Sequence, residues 1–122
     1  MVDIYLARHG QTDWNKQDRF QGQHDVPLNS LGVRQAEALR DRLVGLDFSL
    51  IYSSDLDRAL DTARIIARDQ QAEIIRDQRL REMNFGAWEG MTYEKIKEEY
   101  AQELHAWEND LFRVFGAILD DG

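Results

Sequence analysis

The order of apolar segments in the first two thirds of the chain constrains its fold most strongly. Residues 2–7, 49–53 and 73–76 are short runs rich in apolar and β-branched side chains, which is typical of strands in a parallel sheet. Between them, residues 30–46 and 56–66 repeat apolar side chains at helical spacing. The resulting order of strand, loop, helix, strand, helix and strand predicts an α/β fold with three layers, α/β/α, and a mainly parallel central sheet.

The rest of the chain is predicted to be a loop followed by helices. Ser30 and Thr92 are the expected N-caps of the first long helix and of the helix that runs to about residue 109. Residues 82–91 carry two glycines and are expected to form a loop, and residues 110–119 a last helical segment. The chain has neither a repeat nor a linker-like stretch, so residues 1–122 are expected to form a single domain.

Composition limits the classes of function. The net charge of −8 argues against nucleic acid or an anionic membrane as partner, because both attract basic surfaces. No apolar run approaches the roughly 20 residues of a membrane span, and the N-terminus lacks a secretion signal, so the cytoplasm is the expected location. The chain has no cysteine, which excludes disulfides and thiolate metal sites. An acidic chain that binds phosphate must gather arginines in one pocket.

The tripeptide Arg8-His9-Gly10 directly follows the first predicted strand, and ligands of open α/β sheets bind at the carboxyl ends of strands. A neutral imidazole is a competent nucleophile if an acceptor, such as a carbonyl of the following turn, holds its other nitrogen. The planar guanidinium of Arg8 matches the oxygens of a phosphate group. Taken alone, the tripeptide is weak evidence, because a histidine that follows a strand is more often a hydrogen-bonded structural residue than a nucleophile.

Four groups of residues, the first of which contains this tripeptide, follow one another along the chain. The first is LARHGQTDWN at 6–15, and the second is FQG at 20–22 with PLN at 27–29, Gly32 and Gln35-Ala36. The third is YSSDL at 52–56 with Arg58-Ala59 and Thr62-Ala63, and the fourth is LRE at 80–82 with FG at 85–86 and WEG at 88–90. Together they resemble the histidine phosphatase superfamily, also called phosphoglycerate mutase-like, and its phosphatase branch in particular. The implied fold is the phosphoglycerate mutase-like α/β/α sandwich, here without its C-terminal strands.

The resemblance also implies roles for individual residues. His9 would accept the phosphoryl group, Arg8 and Arg58 would hold its oxygens, Asn15 would add a neutral donor, Gln21 and Gly22 would line the substrate side, and Glu82 would protonate the leaving alcohol. Aromatic rings such as Phe85 and Trp88 are expected to desolvate Glu82 and favour its protonated form. The mechanism implied in this way uses no metal and no other cofactor.

The chain departs from the family in lacking the second catalytic histidine, which is followed by glycine after a late strand. His24 and His105 do not match that motif and are expected to be structural or exposed. Residues 110–122 resemble the helix that precedes the strand in question. Three functions stay open: a phosphomonoester hydrolase acting on a small phosphorylated metabolite through phosphohistidine, a phosphoglycerate mutase-type transferase, and a catalytically impaired relic that binds phosphate. The unpaired edge of the first strand predicts a homo-oligomer.

Overall fold

The computed structural model describes the backbone of residues 2–120 and the side chains of residues 2–110. The chain forms two compact units, Met1–Gly90 and Met91–Gly122, which are described separately below. The expectation of a single domain stays a prediction. In chain order the first unit contains helix α1 (Asp13–Lys16), helix α2 (Ser30–Arg42), strand β1 (Leu50–Ser53), helix α3 (Asp57–Ala67) and strand β2 (Glu73–Arg76), followed by two 3₁₀ turns, Gln78–Leu80 and Gly86–Trp88.

Strands β1 and β2 form a parallel pair in which Leu50 lies opposite Glu73. Helix α3 connects the two strands in sequence and contacts both of them, and α2 packs against α3. The apolar side of α3 is buried, with Leu60 and Ile65 each only 4% exposed. Burial of this side stabilises the unit because apolar area is removed from water. The predicted α/β class with a parallel sheet is therefore confirmed.

The prediction of a buried first strand is wrong. Residues 2–7 form no ladder hydrogen bonds within the described part of the chain, and Val2, Ile4 and Leu6 are 84%, 80% and 95% exposed. An open groove of about 440 Å³ separates the segment from β1. A strand is stabilised by pairing along its edges and by contacts on its faces, and this segment lacks the pairing and leaves most of its apolar side chains uncovered. Its main side-chain contact is an edge-to-face packing of Tyr5 on Phe48, with ring centroids 5.3 Å apart.

Helix α2 begins at Ser30, one residue earlier than the predicted N-cap implied, and it ends earlier than predicted. Asn29, rather than Ser30, is the N-cap, and its side-chain oxygen accepts a hydrogen bond from the Gly32 amide at 2.8 Å. The helix ends at Arg42 instead of residue 46, and Gly45 adopts a positive φ of 95° shortly afterwards. Glycine takes up this conformation without a steric penalty and so favours a turn at this point.

The second unit contains helix α4 (Tyr93–Glu99) and helix α5 (Ala101–Asp120). Thr92 caps α4 as expected, accepting from the Lys95 amide at 3.2 Å. The predicted boundary near residue 110 is wrong, because the helices separate at Tyr100. Neither glycine nor proline marks this position, so the sequence carried no signal for it. The backbone of 110–119 is helical as predicted, and the side chains from 111 onward lie outside the described residues. No helix in the described part of the chain is long and apolar enough to cross a membrane.

Candidate active site

The ring of His9 is held by its own turn. Its Nδ1 lies 2.6 Å from the carbonyl oxygen of Gly10, and because a carbonyl can only accept, Nδ1 must carry the hydrogen. In the neutral ring the lone pair then resides on Nε2, and this nitrogen is the one that could act as a nucleophile. Burial lowers the pKa of His9 below its usual 6.5, and the positive charges of Arg58 and Arg8 act in the same direction. The Gly10 carbonyl and the carboxylate of Glu82 oppose this shift in pKa.

Arg58 is a buried cation in the first turn of α3, with 2% of its surface exposed. Its guanidinium donates to the carbonyl oxygen of His24 at 2.7 Å and to that of Gly22 at 2.5 Å. Burial lowers the pKa of Arg58, while the surrounding carboxylates raise it. The two carbonyls occupy one N–H on each terminal nitrogen, so further N–H groups of the guanidinium can donate to an anion.

Three of the other predicted site residues lie near enough to His9 for their charges to act on its imidazole. The charges of Arg8, Arg58 and Glu82 all act on the ring of His9, although the four residues come from the first segment, from α3 and from the loop after β2. Arg8 is exposed and His9 is half-buried. An open cavity of about 250 Å³ also lies beside Arg8 and His9, bounded by α2 and α3. Neither Arg58 nor Glu82 lines this cavity, so it is distinct from the place between His9 and Arg58 where a phosphate is expected.

Backbone contacts fix the turn that carries His9. The Gly10 amide donates to the hydroxyl of Thr62 at 3.1 Å, and that hydroxyl donates to the Arg58 carbonyl at 2.7 Å. On its other side the turn lies directly against the start of α2, because a Cβ on Gly10 would overlap the carbonyl oxygen of Gly32. The His9 turn and the buried arginine are therefore connected through one buried hydroxyl group.

Asn15 and Gln21 are braced by Thr12, which is fully buried. The Thr12 amide donates to Asn15 Oδ1 at 2.9 Å, the Asn15 amide donates to the Thr12 hydroxyl at 3.1 Å, and the hydroxyl lies 2.6 Å from Gln21 Oε1. The side-chain oxygen of Asn15 is engaged at this helix cap. The remaining polar group of Asn15 is its Nδ2, which could donate a hydrogen bond to a phosphate oxygen. Gly22 follows at a positive φ of 54°, with its carbonyl on Arg58. Contact of these residues with substrate stays a prediction.

The expected desolvation of Glu82 by aromatic rings is wrong. Glu82 is exposed, and its carboxylate accepts from the amide of Met83 at 2.9 Å. Phe85 and Trp88 pack edge-to-face against Phe20 instead, with centroid distances of 4.9 and 6.2 Å. The rings therefore form a small apolar cluster of their own.

Glu89, a residue to which the sequence assigned no role, links two loops of this region. Its Oε1 accepts from the amide of Gln23 at 2.9 Å and from the amide of Phe85 at 3.3 Å. The side-chain amide of Gln23 also donates to the backbone carbonyl of Glu82, at 3.3 Å. These bonds join the loop that supports Arg58 to the loop that carries Glu82.

Comparison with known proteins identifies the family of the chain. A family model described as the histidine phosphatase superfamily, branch 1, matches residues 4–116. The chain belongs to the histidine phosphatase superfamily. A relative from Proteus mirabilis, named probable phosphoglycerate mutase GpmB, is 46% identical over 89 residues, which are 73% of this chain and 41% of that protein.

Two solved phosphatases also resemble this histidine phosphatase chain. A mycobacterial glucosyl-3-phosphoglycerate phosphatase complexed with VO3 is 41% identical with a TM-score of 0.76, and the match covers 81% of this chain and 47% of the other. The same protein has been solved with inorganic phosphate. The α-ribazole phosphatase of Shigella flexneri is 35% identical with a TM-score of 0.76, and the match covers 84% of this chain and 50% of the other. The chain thus spans about half the length of the proteins that it matches.

The other two histidines of this histidine phosphatase chain are exposed, as expected. His24 stacks on Trp14 with ring centroids 4.5 Å apart, and its backbone carbonyl holds Arg58. His105 lies on α5 with its Nε2 3.2 Å from the Asn109 side chain. Within the described residues, no group of three histidine and carboxylate side chains is placed to hold a metal ion.

The sequence motif WEG at 88–90 drew attention to the region of Glu89, but nothing in the motif revealed the two backbone amides that Glu89 binds.

Proposed function

We propose that this chain binds a small phosphomonoester at His9 and hydrolyses it through a phosphohistidine intermediate. The observation that carries the proposal is the neutral His9 ring, with Nδ1 on the Gly10 carbonyl and a buried arginine charge beside it. This arrangement presents Nε2 as the nucleophile. The phosphatases with solved structures support hydrolysis, and the complexes of the mycobacterial one with VO3 and inorganic phosphate support an oxyanion as ligand.

In the first step, the Nε2 lone pair attacks phosphorus and the bond from phosphorus to the alcohol oxygen breaks. The Glu82 carboxyl gives a proton to the departing alkoxide. Water then attacks the phosphorus of phosphohistidine, the Glu82 carboxylate takes up a proton of that water, and inorganic phosphate leaves with His9 restored. The guanidinium groups of Arg8 and Arg58 donate to the equatorial phosphate oxygens, where charge accumulates in the transition state.

The substrate and the final acceptor of the phosphoryl group define two versions of this chemistry. Hydrolysis transfers the group to water, whereas a mutase-type reaction, which the relative named phosphoglycerate mutase suggests, returns it to a second hydroxyl of the same metabolite. Incubation with 3-phosphoglycerate distinguishes them, because hydrolysis releases inorganic phosphate and mutase transfer forms the isomeric phosphoglycerate without releasing it. We favour hydrolysis.

A catalytically impaired phosphate-binding chain is the second candidate. The observation that favours it is the absence of a counterpart to the family's second catalytic histidine among His9, His24 and His105. Each electrostatic donor in such a site can contribute roughly 10²–10³ in rate. Binding of vanadate with no measurable release of phosphate from an aryl phosphate would establish this second candidate.

The deciding experiment compares His9→Ala with His105→Ala, whose side chain is exposed on α5. Brief incubation with a radioactively labelled phosphomonoester, followed by denaturation under alkaline conditions that preserve phosphohistidine, should label the parent and the His105 variant and leave the His9 variant unlabelled. Turnover of a generic aryl phosphate should follow the same pattern. Equal turnover by the His9 variant and the parent would refute the assignment of the nucleophile.

We also propose that the chain self-associates through the exposed apolar side of residues 2–6. Three large apolar side chains are at least 80% exposed there, next to an open apolar groove, and a second copy could cover both. Light scattering at micromolar concentration should give a mass above 14.3 kDa. A compact, well-folded monomer would contradict this proposal. The cytoplasmic location stays a prediction from composition.

A further inference from the structure

A single peptide group lies between a buried cation and a carboxylate. The carbonyl oxygen of Gly22 accepts from Nη2 of Arg58 at 2.5 Å, and the amide of Gln23 donates to Oε1 of Glu89 at 2.9 Å. That oxygen and that amide belong to the same peptide bond. The positive charge and the negative charge therefore act on opposite edges of one planar unit.

This arrangement stabilises the orientation of both charged groups. Hydrogen bonds to ionised groups are roughly twice as strong as neutral ones, and bonds that share a polarisable group strengthen one another. Because the peptide is planar, a shift of the Glu89 carboxylate tilts the carbonyl that holds Arg58. The fit is close, since a Cβ on Gly22 would overlap the Glu89 carboxylate.

The same carboxylate oxygen also controls the loop of the proposed proton donor. It accepts from the amide of Phe85 at 3.3 Å, three residues after Glu82. The side chain of Gln23 adds a bond to the Glu82 carbonyl. Glu89 thus holds at one point the loop that supports Arg58 and the loop that carries Glu82.

We propose that Glu89 is a positioning residue that sets the Arg58 guanidinium and the Glu82 carboxyl relative to His9 through the Gly22–Gln23 peptide. It acts through these neighbours and does not contact the phosphate. The role in catalysis rests on the proposed function above, whereas the role in loop geometry does not. For this positioning, the negative charge of residue 89 matters less than the location of its accepting oxygen. The amides of Gln23 and Phe85 both require an acceptor at that point.

Two variants of Glu89 separate position from charge. Glu89→Gln keeps an accepting oxygen at the same distance from the backbone and loses the charge, whereas Glu89→Asp keeps the charge and withdraws the oxygen by one methylene. We expect the Gln variant to keep kcat within about tenfold of the parent and the Asp variant to lose on the order of 10²-fold, the cost of a displacement of about 1 Å. Glu103→Gln, an exposed position on α5, is the matched control.

Amide hydrogen exchange gives a readout that does not depend on turnover. Exchange at Gln23 and Phe85 should accelerate in Glu89→Asp and stay close to the parent in Glu89→Gln. If the Asp variant retains kcat and protected amides while the Gln variant loses both, charge rather than position is what matters and the proposal is overturned. Altered exchange in the Asp variant with unchanged kcat would overturn the catalytic part. A parent without phosphohistidine refutes the proposed function instead, and the exchange data still decide the role of Glu89 in the loops.

Discussion

Replacing Thr62 by valine tests the link between the His9 turn and helix α3. Thr62 is 5% exposed and its hydroxyl makes two bonds, accepting from the Gly10 amide and donating to the Arg58 carbonyl. Valine has nearly the same shape, so the substitution removes the hydroxyl without leaving a large cavity. The Arg58 carbonyl is a helical acceptor, and the Gly10 amide is the buried donor that loses its partner. The expected loss is therefore that of one unsatisfied buried group, about 1–3 kcal/mol of unfolding free energy.

Urea denaturation of the parent, Thr62→Val and Thr62→Ser measures this loss. Serine keeps the hydroxyl and removes one methyl group, which costs about 0.8 kcal/mol by transfer of a buried carbon. We expect the valine variant to lose phosphohistidine formation more than the serine variant does, because the His9 turn is then no longer tied to Arg58. A valine variant within about 0.5 kcal/mol of the parent, with unchanged labelling of His9, would refute the reasoning.

Three further predictions follow from the same site. The pKa of His9 is lowered in the folded chain, so its contribution to stability is complete above about pH 6.5 and is lost as the pH falls through the lower folded value. The acid limb of the pH profile of kcat/KM should therefore lie below pH 6.5, and a limb above that value would contradict the shift. Gly22→Ala should lower the free energy of unfolding by on the order of 1–3 kcal/mol and weaken vanadate binding, because it combines a positive φ with a clash against Glu89. Gly45→Ala, which has open space around its Cβ, should lower the free energy of unfolding less in the same urea denaturation assay. Arg58→Lys should reduce vanadate affinity, measured by calorimetry, at least tenfold, because one ammonium cannot bind two carbonyls and an anion in the geometry of a guanidinium; unchanged affinity would exclude Arg58 from the site.

The sequence predicts those elements whose partners lie close by in the chain. Strands β1 and β2 and the helix between them form one local unit, so their apolar patterns are enough to place them. Residues 2–7 have an equally apolar pattern, yet they remain unpaired, because a strand depends on neighbours that its own residues cannot specify. The boundary at Tyr100 was missed for a related reason, since no residue there disfavours a helix in isolation.

The candidate site follows the same division. Arg8, His9, Arg58 and Glu82 could be selected from the sequence because they stand in motifs, and in the structure the charges of the other three act on the His9 ring. The solvation of Glu82 could not be predicted, because it depends on which way neighbouring rings pack. The supporting roles of Thr62 and Glu89 were likewise hidden, because their partners are backbone amides that every residue possesses.

The direct contact between Gly10 and Gly32 has a consequence for any attempt to change what this chain binds. No side chain separates the two backbones, so a displacement of the first turn of α2 by a fraction of an ångström also displaces the Gly10 carbonyl, which selects the tautomer of His9. Altered specificity should therefore be sought in residues 20–24 and 82–90. The first turn of α2 therefore supports the proposed nucleophile, and substitutions there should reduce reactivity towards every substrate alike.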